Sequence, residues 1–267
     1  MDDRPIGIFD SGVGGLTVAA QLMEQLPNEN LVYFGDTARL PYGSKSRETV
    51  TRFSLQNVRF LQSQNVKAVV VACNTASSNS LEAMRAAFSL PIFGVVEPGT
   101  LEAVRQTRNR RVGVIGTAAT VQSEAYHRGI HRLAPDVTVF SRACPLFVPL
   151  AEEGWTDTLV TELTAREYLA PLMEQGIDAL VLGCTHYPLL KACLARVLGP
   201  GVTLVDPARE TARQVQDYLQ TNGLLRDAAT PPSHRFFVSD ISQNFSILSN
   251  MALHQAFVPQ KIDIESY

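Results

Sequence analysis

Lysine is scarce in this chain of 267 residues: only Lys45, Lys67, Lys191 and Lys261 occur. No basic block of five or six residues exists, and 23 Lys+Arg against 26 Asp+Glu leave a net charge of −3, so the electrostatic footprint of a nucleic-acid binder is missing. No run of about 18 apolar residues suggests a membrane span. The acidic start Met1-Asp2-Asp3 lacks the basic region and cleavage site of a secretory signal. Cysteine is sparse too: Cys73, Cys144, Cys184 and Cys193 show no close paired spacing of the zinc-binding kind and are too few for a disulfide scaffold. These absences predict a cytoplasmic protein with reduced thiols, no metal, no membrane attachment and no nucleic-acid partner.

What is present is an ordinary globular composition, 45% hydrophobic and 18% charged with a mean hydropathy of +0.02, and a weak internal repeat. Ile6-Gly7-Ile8-Phe9 followed by Asp10-Ser11-Gly12 is similar to Val112-Gly113-Val114-Ile115 followed by Gly116-Thr117-Ala118, 106 residues on. Val69-Val70-Val71-Ala72-Cys73-Asn74-Thr75 matches Leu180-Val181-Leu182-Gly183-Cys184-Thr185 at an offset of 111 residues. Val95-Val96-Glu97-Pro98 matches Leu204-Val205-Asp206-Pro207 at 109. Three matches in one order at similar offsets imply a duplicated unit.

Between the apolar runs lie helical patterns: Leu16, Ala19, Ala20, Met23 and Leu26 share a helix face, and Val50, Phe53, Val58 and Leu61 nearly do. Continuous Val/Ile/Leu strands alternating with amphipathic helices predict parallel sheets covered on both faces. The expected fold is α/β, with two pseudo-symmetric doubly wound parallel-sheet domains and the active site in the cleft between them. The expected division is 1–97 plus 208–267 for the first domain and 98–207 for the second. The tail carries a helix pattern (Thr211, Val215, Tyr218, Leu219), a strand-like Arg235-Phe236-Phe237-Val238 and a final helix, and is expected to return to the first half.

Ligands collect beyond the carboxyl ends of strands in such sheets. Asp10-Ser11, Cys73-Asn74-Thr75, Thr117 and Cys184-Thr185-His186 all follow apolar runs. Facing halves would project Cys73 and Cys184 into one cleft from opposite walls. A cysteine where a strand gives way to a helix N-terminus meets unsatisfied N–H groups and the positive end of the macrodipole, which favours thiolate. Two thiols on opposite faces of a bound carbon form a base and an acid that exchange roles with direction, the requirement for inverting a stereocentre. The Schiff-base route needs a lysine in the site, and none of the four stands in a strand-end cluster, so the expected chemistry uses no cofactor. Cysteine is otherwise a small buried hydrophobe, the reading given to Cys144 and Cys193. His186, two positions from Cys184, is either a structural hydrogen-bonding residue or a proton relay.

FDSGVGGLTV from Phe9, DTARLPYGSKS from Asp36, ACNTAS from Ala72, CPLFVPLAEEG from Cys144 and LGCTHYPLL from Leu182 together resemble the glutamate racemases, among the cofactor-independent amino-acid racemases, over nearly the whole chain. The resemblance implies interconversion of L- and D-glutamate to supply the cell-wall peptide. It implies that Cys73 acts on the D-enantiomer and Cys184 on the L-enantiomer, that Asp10 stands beside the first thiol and His186 beside the second, and that Asp36 and Glu152 are further acids of the site. Substrate contacts would come from Asp10, Ser11, Pro41, Tyr42, Gly43, Asn74, Thr75, Thr117, Thr185 and His186. It further implies a homodimer, and for some members a secondary association with DNA gyrase. Other members depend on a peptidoglycan-precursor activator and carry an N-terminal extension; this chain begins five residues before its first strand, and no such activation is expected.

The motifs hold neither lysine nor arginine apart from Arg39 and Lys45, so binding a dicarboxylate would fall to hydroxyls, the Asn74 amide and backbone N–H groups. In Pro41-Tyr42-Gly43 proline sets one dihedral and glycine admits a close ligand. Asp10 either meets the substrate ammonium or orders the first thiol. Gly12-Val13-Gly14-Gly15 with Asp36 imitates a dinucleotide site, but Thr17 occupies the place of the third glycine and Asp10 would repel a pyrophosphate. A racemase for aspartate or another acid shares the mechanism, whereas a decarboxylase needs one proton donor and would not require both cysteines.

Overall fold

The computed structural model describes residues 2–227, 230–241, 245–253 and 257–267. Strands and helices alternate from the start: β1 (Ile6–Asp10), α1 (Leu16–Gln25), β2 (Leu31–Gly35), α2 (Arg47–Ser63), β3 (Ala68–Val71), α3 (Asn74–Ala87), β4 (Ile92–Gly94) and α4 (Val96–Gln106). A second run follows with β5 (Arg111–Gly116), α5 (Ala118–Gln122), α6 (Ala125–Leu133), β6 (Thr138–Ala143), α7 (Phe147–Glu152), α8 (Leu159–Glu174), β7 (Ala179–Gly183), α9 (Lys191–Leu198) and β8 (Thr203–Val205). The chain ends with α10 (Pro207–Thr221), β9 (His234–Val238), α11 (Phe245–Leu253) and β10 (Gln260–Lys261).

The strands form two parallel sheets, ordered β10-β9-β2-β1-β3-β4 and β6-β5-β7-β8. The core of each has the same winding: its first strand is central, the second lies on one side, and the third and fourth lie on the other. The repeat in the sequence is thus a repeat of topology, with β1 equivalent to β5 and β3 to β7. The third sequence match is out of register with the structure. Leu204-Val205 lies in β8, but Val95-Val96 lies past β4 at the start of α4. Val95 and Val96 are 1% and 7% exposed, and apolar character alone cannot tell a buried strand from a buried first helical turn.

Side chains alternate across each strand, which explains why the strands read as unbroken apolar runs. Ile6, Ile8 and Val70 pack with α1, α10 and α11 on one face of the first sheet, while Phe9, Val69 and Val71 pack with α2 and α3 on the other. Leu180 and Leu182 join the layer built by α7, α8 and α9, and Ala179 and Val181 join the layer of α4 and α6. The tail segment contributes β9, paired in register with β2 from Leu31↔His234 to Gly35↔Val238.

One lysine plays a structural part. Lys67 precedes β3, at the end remote from Cys73, and its ammonium group is wholly buried against Glu29 at 2.6 Å. It also donates to the carbonyls of Asp2 and Leu224 at 2.8 and 2.7 Å, pinning the N-terminal segment and the residues after α10 to the start of β3. Lys67→Ala leaves the Glu29 carboxylate buried without its cation, so a loss of about 3–5 kcal/mol in urea unfolding is expected; a loss below about 1 kcal/mol contradicts this role.

Candidate functional site

The carboxyl ends of the strands of both sheets meet at a cavity of about 40 Å³. Its walls come from six places in the chain: Ser11-Gly12 after β1, Leu40 to Gly43 after β2, Cys73-Asn74-Thr75 after β3, Thr117 after β5, Val148 and Glu152 from α7, and Cys184-Thr185-His186 after β7. Both predicted thiols therefore face one space. No lysine or arginine lines it among the described residues, so an anion bound here must rely on neutral donors, helix starts and His186.

The two thiols are held differently. Cys73 caps α3, its Sγ accepting from the Ala76 N–H at 3.5 Å and lying 3.6 Å from Ser11 Oγ. The helix start does not deliver the thiolate that its position in the sequence suggests. Burial, followed by the nearby Asp10 carboxylate, outweighs the Ala76 and Ser11 contacts and pushes the Cys73 thiol up to about 12. Cys184 has no α-helix start behind it: β7 ends at Gly183 and the chain turns through a 3₁₀ segment, Tyr187–Leu190, before α9 begins. Its polar partner is His186, whose Nδ1 lies 3.8 Å from Sγ.

His186 links that thiol to α7, its Nε2 standing 3.1 Å from Glu152 Oε1. Burial alone would drive the imidazole neutral, but Cys184, Glu152 and Asp10 outweigh it and hold His186 charged, up to about 10. An imidazolium therefore stands beside Cys184, while the Cys73 end carries a protonated thiol.

Not every predicted residue reaches the cavity. Asp10 is fully buried behind it, accepting from the Gly12 N–H at 2.9 Å and the Thr185 hydroxyl at 3.3 Å. Burial raises its carboxyl above the usual range, with the charge on His186 opposing. Asp36 does not line the cavity either: its carboxylate accepts from Arg39 Nε at 2.8 Å, from Ser239 Oγ at 2.9 Å and from the Tyr42 hydroxyl in a short bond. Asp36 thus holds Tyr42, which is 1% exposed and does line the wall. Pro41, after a cis peptide bond from Leu40, and Gly43 are at the wall as well. Gly12, Leu40 and Val148 line the cavity too, and none of them is a candidate on sequence grounds. Gly12 is legible beside Ser11, whereas the apolar Leu40 and Val148 carry no chemical signal.

Close approach of the two halves depends on glycine. A Cβ on Gly14 would lie 2.5 Å from Thr185 Oγ1 and 2.6 Å from His186 Nδ1, and one on Gly43 would lie 2.5 Å from Thr117 Cβ. These glycines serve the packing of one half on the other, the opposite of a phosphate cradle. Across the same seam Thr75 and Thr117 hydroxyls meet at 2.9 Å, and the Thr17 hydroxyl donates to the Thr185 carbonyl at 3.1 Å.

Residues 14–215 match the family described as Asp/Glu/Hydantoin racemase. The chain is 55% identical to the glutamate racemase of Geobacter metallireducens over 250 residues, 94% of this chain and 93% of that one, and 51% identical to that of Syntrophus aciditrophicus over 242 residues, 91% and 90%. The crystal structure of glutamate racemase from Francisella tularensis in complex with D-glutamate superposes with a TM-score of 0.94 at 40% identity, covering 100% of both chains.

With its thiol pushed up to about 12, Cys73 is expected to be alkylated by iodoacetamide at a rate that climbs about tenfold per pH unit from pH 9 to 11. Peptide mass spectrometry over a pH series reads this rate. A plateau near pH 9, the behaviour of an unperturbed thiol, contradicts the assignment.

Proposed function

Because the chain belongs to the Asp/Glu/Hydantoin racemase family, we propose that it interconverts L- and D-glutamate by proton transfer at Cα between Cys184 and Cys73. The observation that carries this reading is the presence of both sulfurs in the wall of one small cavity. In the L-to-D direction, Cys184 as thiolate takes the Cα proton, breaking C–H and forming S–H. Cys73, the protonated thiol, then gives its proton to the opposite face and is left as thiolate. The reverse direction exchanges the roles, and both transfers use protein sulfurs, so no electron-sink cofactor enters the cycle. His186, held charged, stands beside Cys184, while burial and Asp10 keep the proton on Cys73.

Glutamate carries two carboxylates and an ammonium group. The Ser11, Thr75, Thr117 and Thr185 hydroxyls, the Asn74 amide and the backbone of Tyr42-Gly43 are assigned to the carboxylates; Asp10 orders the Cys73 end from behind the wall. Asp36 is assigned to holding Tyr42, and Glu152 to holding His186. The cavity is tight, about 40 Å³, and on this reading its walls part for entry and close to exclude water. We place the two domains at 1–97 with 208–267 and at 98–207, with their motion opening the seam. D-Glutamate made in the cytoplasm would supply the cell-wall peptide. Assembly as a homodimer fits Leu159, Val160 and Leu163, which α8 leaves 71%, 49% and 58% exposed.

Each glutamate enantiomer, incubated with the protein in deuterated water without added cofactor, is expected to invert and to acquire deuterium at Cα, while aspartate is not turned over. Cys73→Ala and Cys184→Ala are each expected to abolish inversion; full turnover in either variant defeats the two-thiol mechanism. Gly14→Ala forces Thr185 and His186 outward and is expected to lower kcat/KM by about 100-fold, the cost of misplacing reacting groups by roughly 1 Å. A loss under about threefold would show that the close approach at Gly14 has no bearing on the chemistry.

A further inference from the structure

Tyr126 belongs to α6, on the second sheet, yet its hydroxyl lies 2.6 Å from Oδ1 of Asn74, the first residue of α3 on the other half of the molecule. The side chain is 2% exposed, and its ring lies against the strand that carries Cys184: a Cβ on Gly183 would come within 3.3 Å of Tyr126 Cε2. On its other edge a Cβ on Gly99 would stand 3.0 Å from Cε1. The ring is therefore seated among residues of the second half, against the strand that leads to Cys184, and only its hydroxyl reaches across to the neighbour of Cys73.

The direction of the hydrogen bond follows from the surroundings. A phenol can donate or accept, and an amide offers one acceptor oxygen and a two-proton donor. Asn74 is the only hydrogen-bond partner of Tyr126 Oη among the described residues. With the amide reversed, the buried phenol proton would lose its acceptor, at the cost of an unmade buried hydrogen bond. Tyr126 therefore donates to Oδ1. Asn74 Nδ2 makes no hydrogen bond among the described residues, and the residue lines the cavity. Both Nδ2 protons are then free for an acceptor placed there, in a wall without lysine or arginine.

Resting on the glutamate racemase reading, we propose that Tyr126 is a positioning residue that fixes the Asn74 amide with its donors toward a substrate carboxylate, tying that orientation to the closed seam between the two halves. Tyr126 itself makes no contact with substrate in this arrangement. Its effect passes through Asn74 alone, so the contribution of the hydroxyl should vanish when that amide is absent.

The test is a double-mutant cycle in steady-state kinetics with both enantiomers, using wild type, Tyr126→Phe, Asn74→Ala and the double variant. Tyr126→Phe is expected to raise KM about tenfold, the scale of one hydrogen bond to a charged group, with a smaller fall in kcat. In the Asn74→Ala background the same change is expected to alter KM less than about twofold. An equal factor in both backgrounds, or no effect in either, overturns the proposal. If Tyr126→Phe shows no cooperative thermal unfolding, Asn74→Asp takes its place: it keeps the acceptor for Tyr126, removes the Nδ2 donors, and should raise KM with the melting midpoint preserved. An unchanged KM there overturns the proposal too. Inversion by the wild type in deuterated water, run alongside, separates the outcomes, since its absence refutes the racemase reading itself.

Discussion

Two sulfur atoms can serve one stereocentre only if the turns that carry them come within side-chain reach, and the packing around the cleft is organised by that demand. The carboxyl ends of two separately wound sheets converge, and the residues at the convergence are small: Gly14 against Thr185 and His186, Gly43 against Thr117, Thr75 against Thr117. Larger side chains at these points would hold the sheets apart. Short polar contacts line the seam beside the cavity. Each sheet meanwhile keeps its own apolar layers on both faces.

The second theme is electrostatic asymmetry within structural symmetry. The duplicated winding puts a cysteine after β3 and after β7, but the two sulfurs answer to different neighbours. Cys73 sits on a helix start with a buried carboxylate behind it, and burial decides its protonation. Cys184 sits on a turn beside a charged imidazole fastened to Glu152. Equal folds with unequal surroundings give one sulfur that keeps its proton and another that stands next to a positive charge.

Much of this is legible in the order of the amino acids. The apolar runs at β1, β3, β5 and β7 repeat because a parallel strand buried on both faces has no polar position to vary, and the chemistry-bearing residues follow at their carboxyl ends. Where the sequence misleads, tertiary packing is responsible. Val95-Val96 imitates a strand because a buried helical turn is equally apolar. The thiolate expected at Cys73 is overruled by desolvation, which depends on atoms far away in the chain. Asp36 belongs with the site motifs, yet Arg39, Tyr42 and Ser239 take up its carboxylate, the last of these from just past β9, 203 residues away. Tyr126 gives no signal, since its significance lies in one bond across the seam to Asn74.

The central claim is that a single carbon atom stands between the two sulfurs, and a crystal structure of the protein with bound glutamate tests it most directly. Cα is expected between Cys73 Sγ and Cys184 Sγ, with each sulfur on an opposite face at about 3–3.5 Å, the distance of a near-attack geometry. Glutamate bound with both sulfurs on one face of Cα, or with either sulfur out of reach of it, would contradict the two-thiol mechanism.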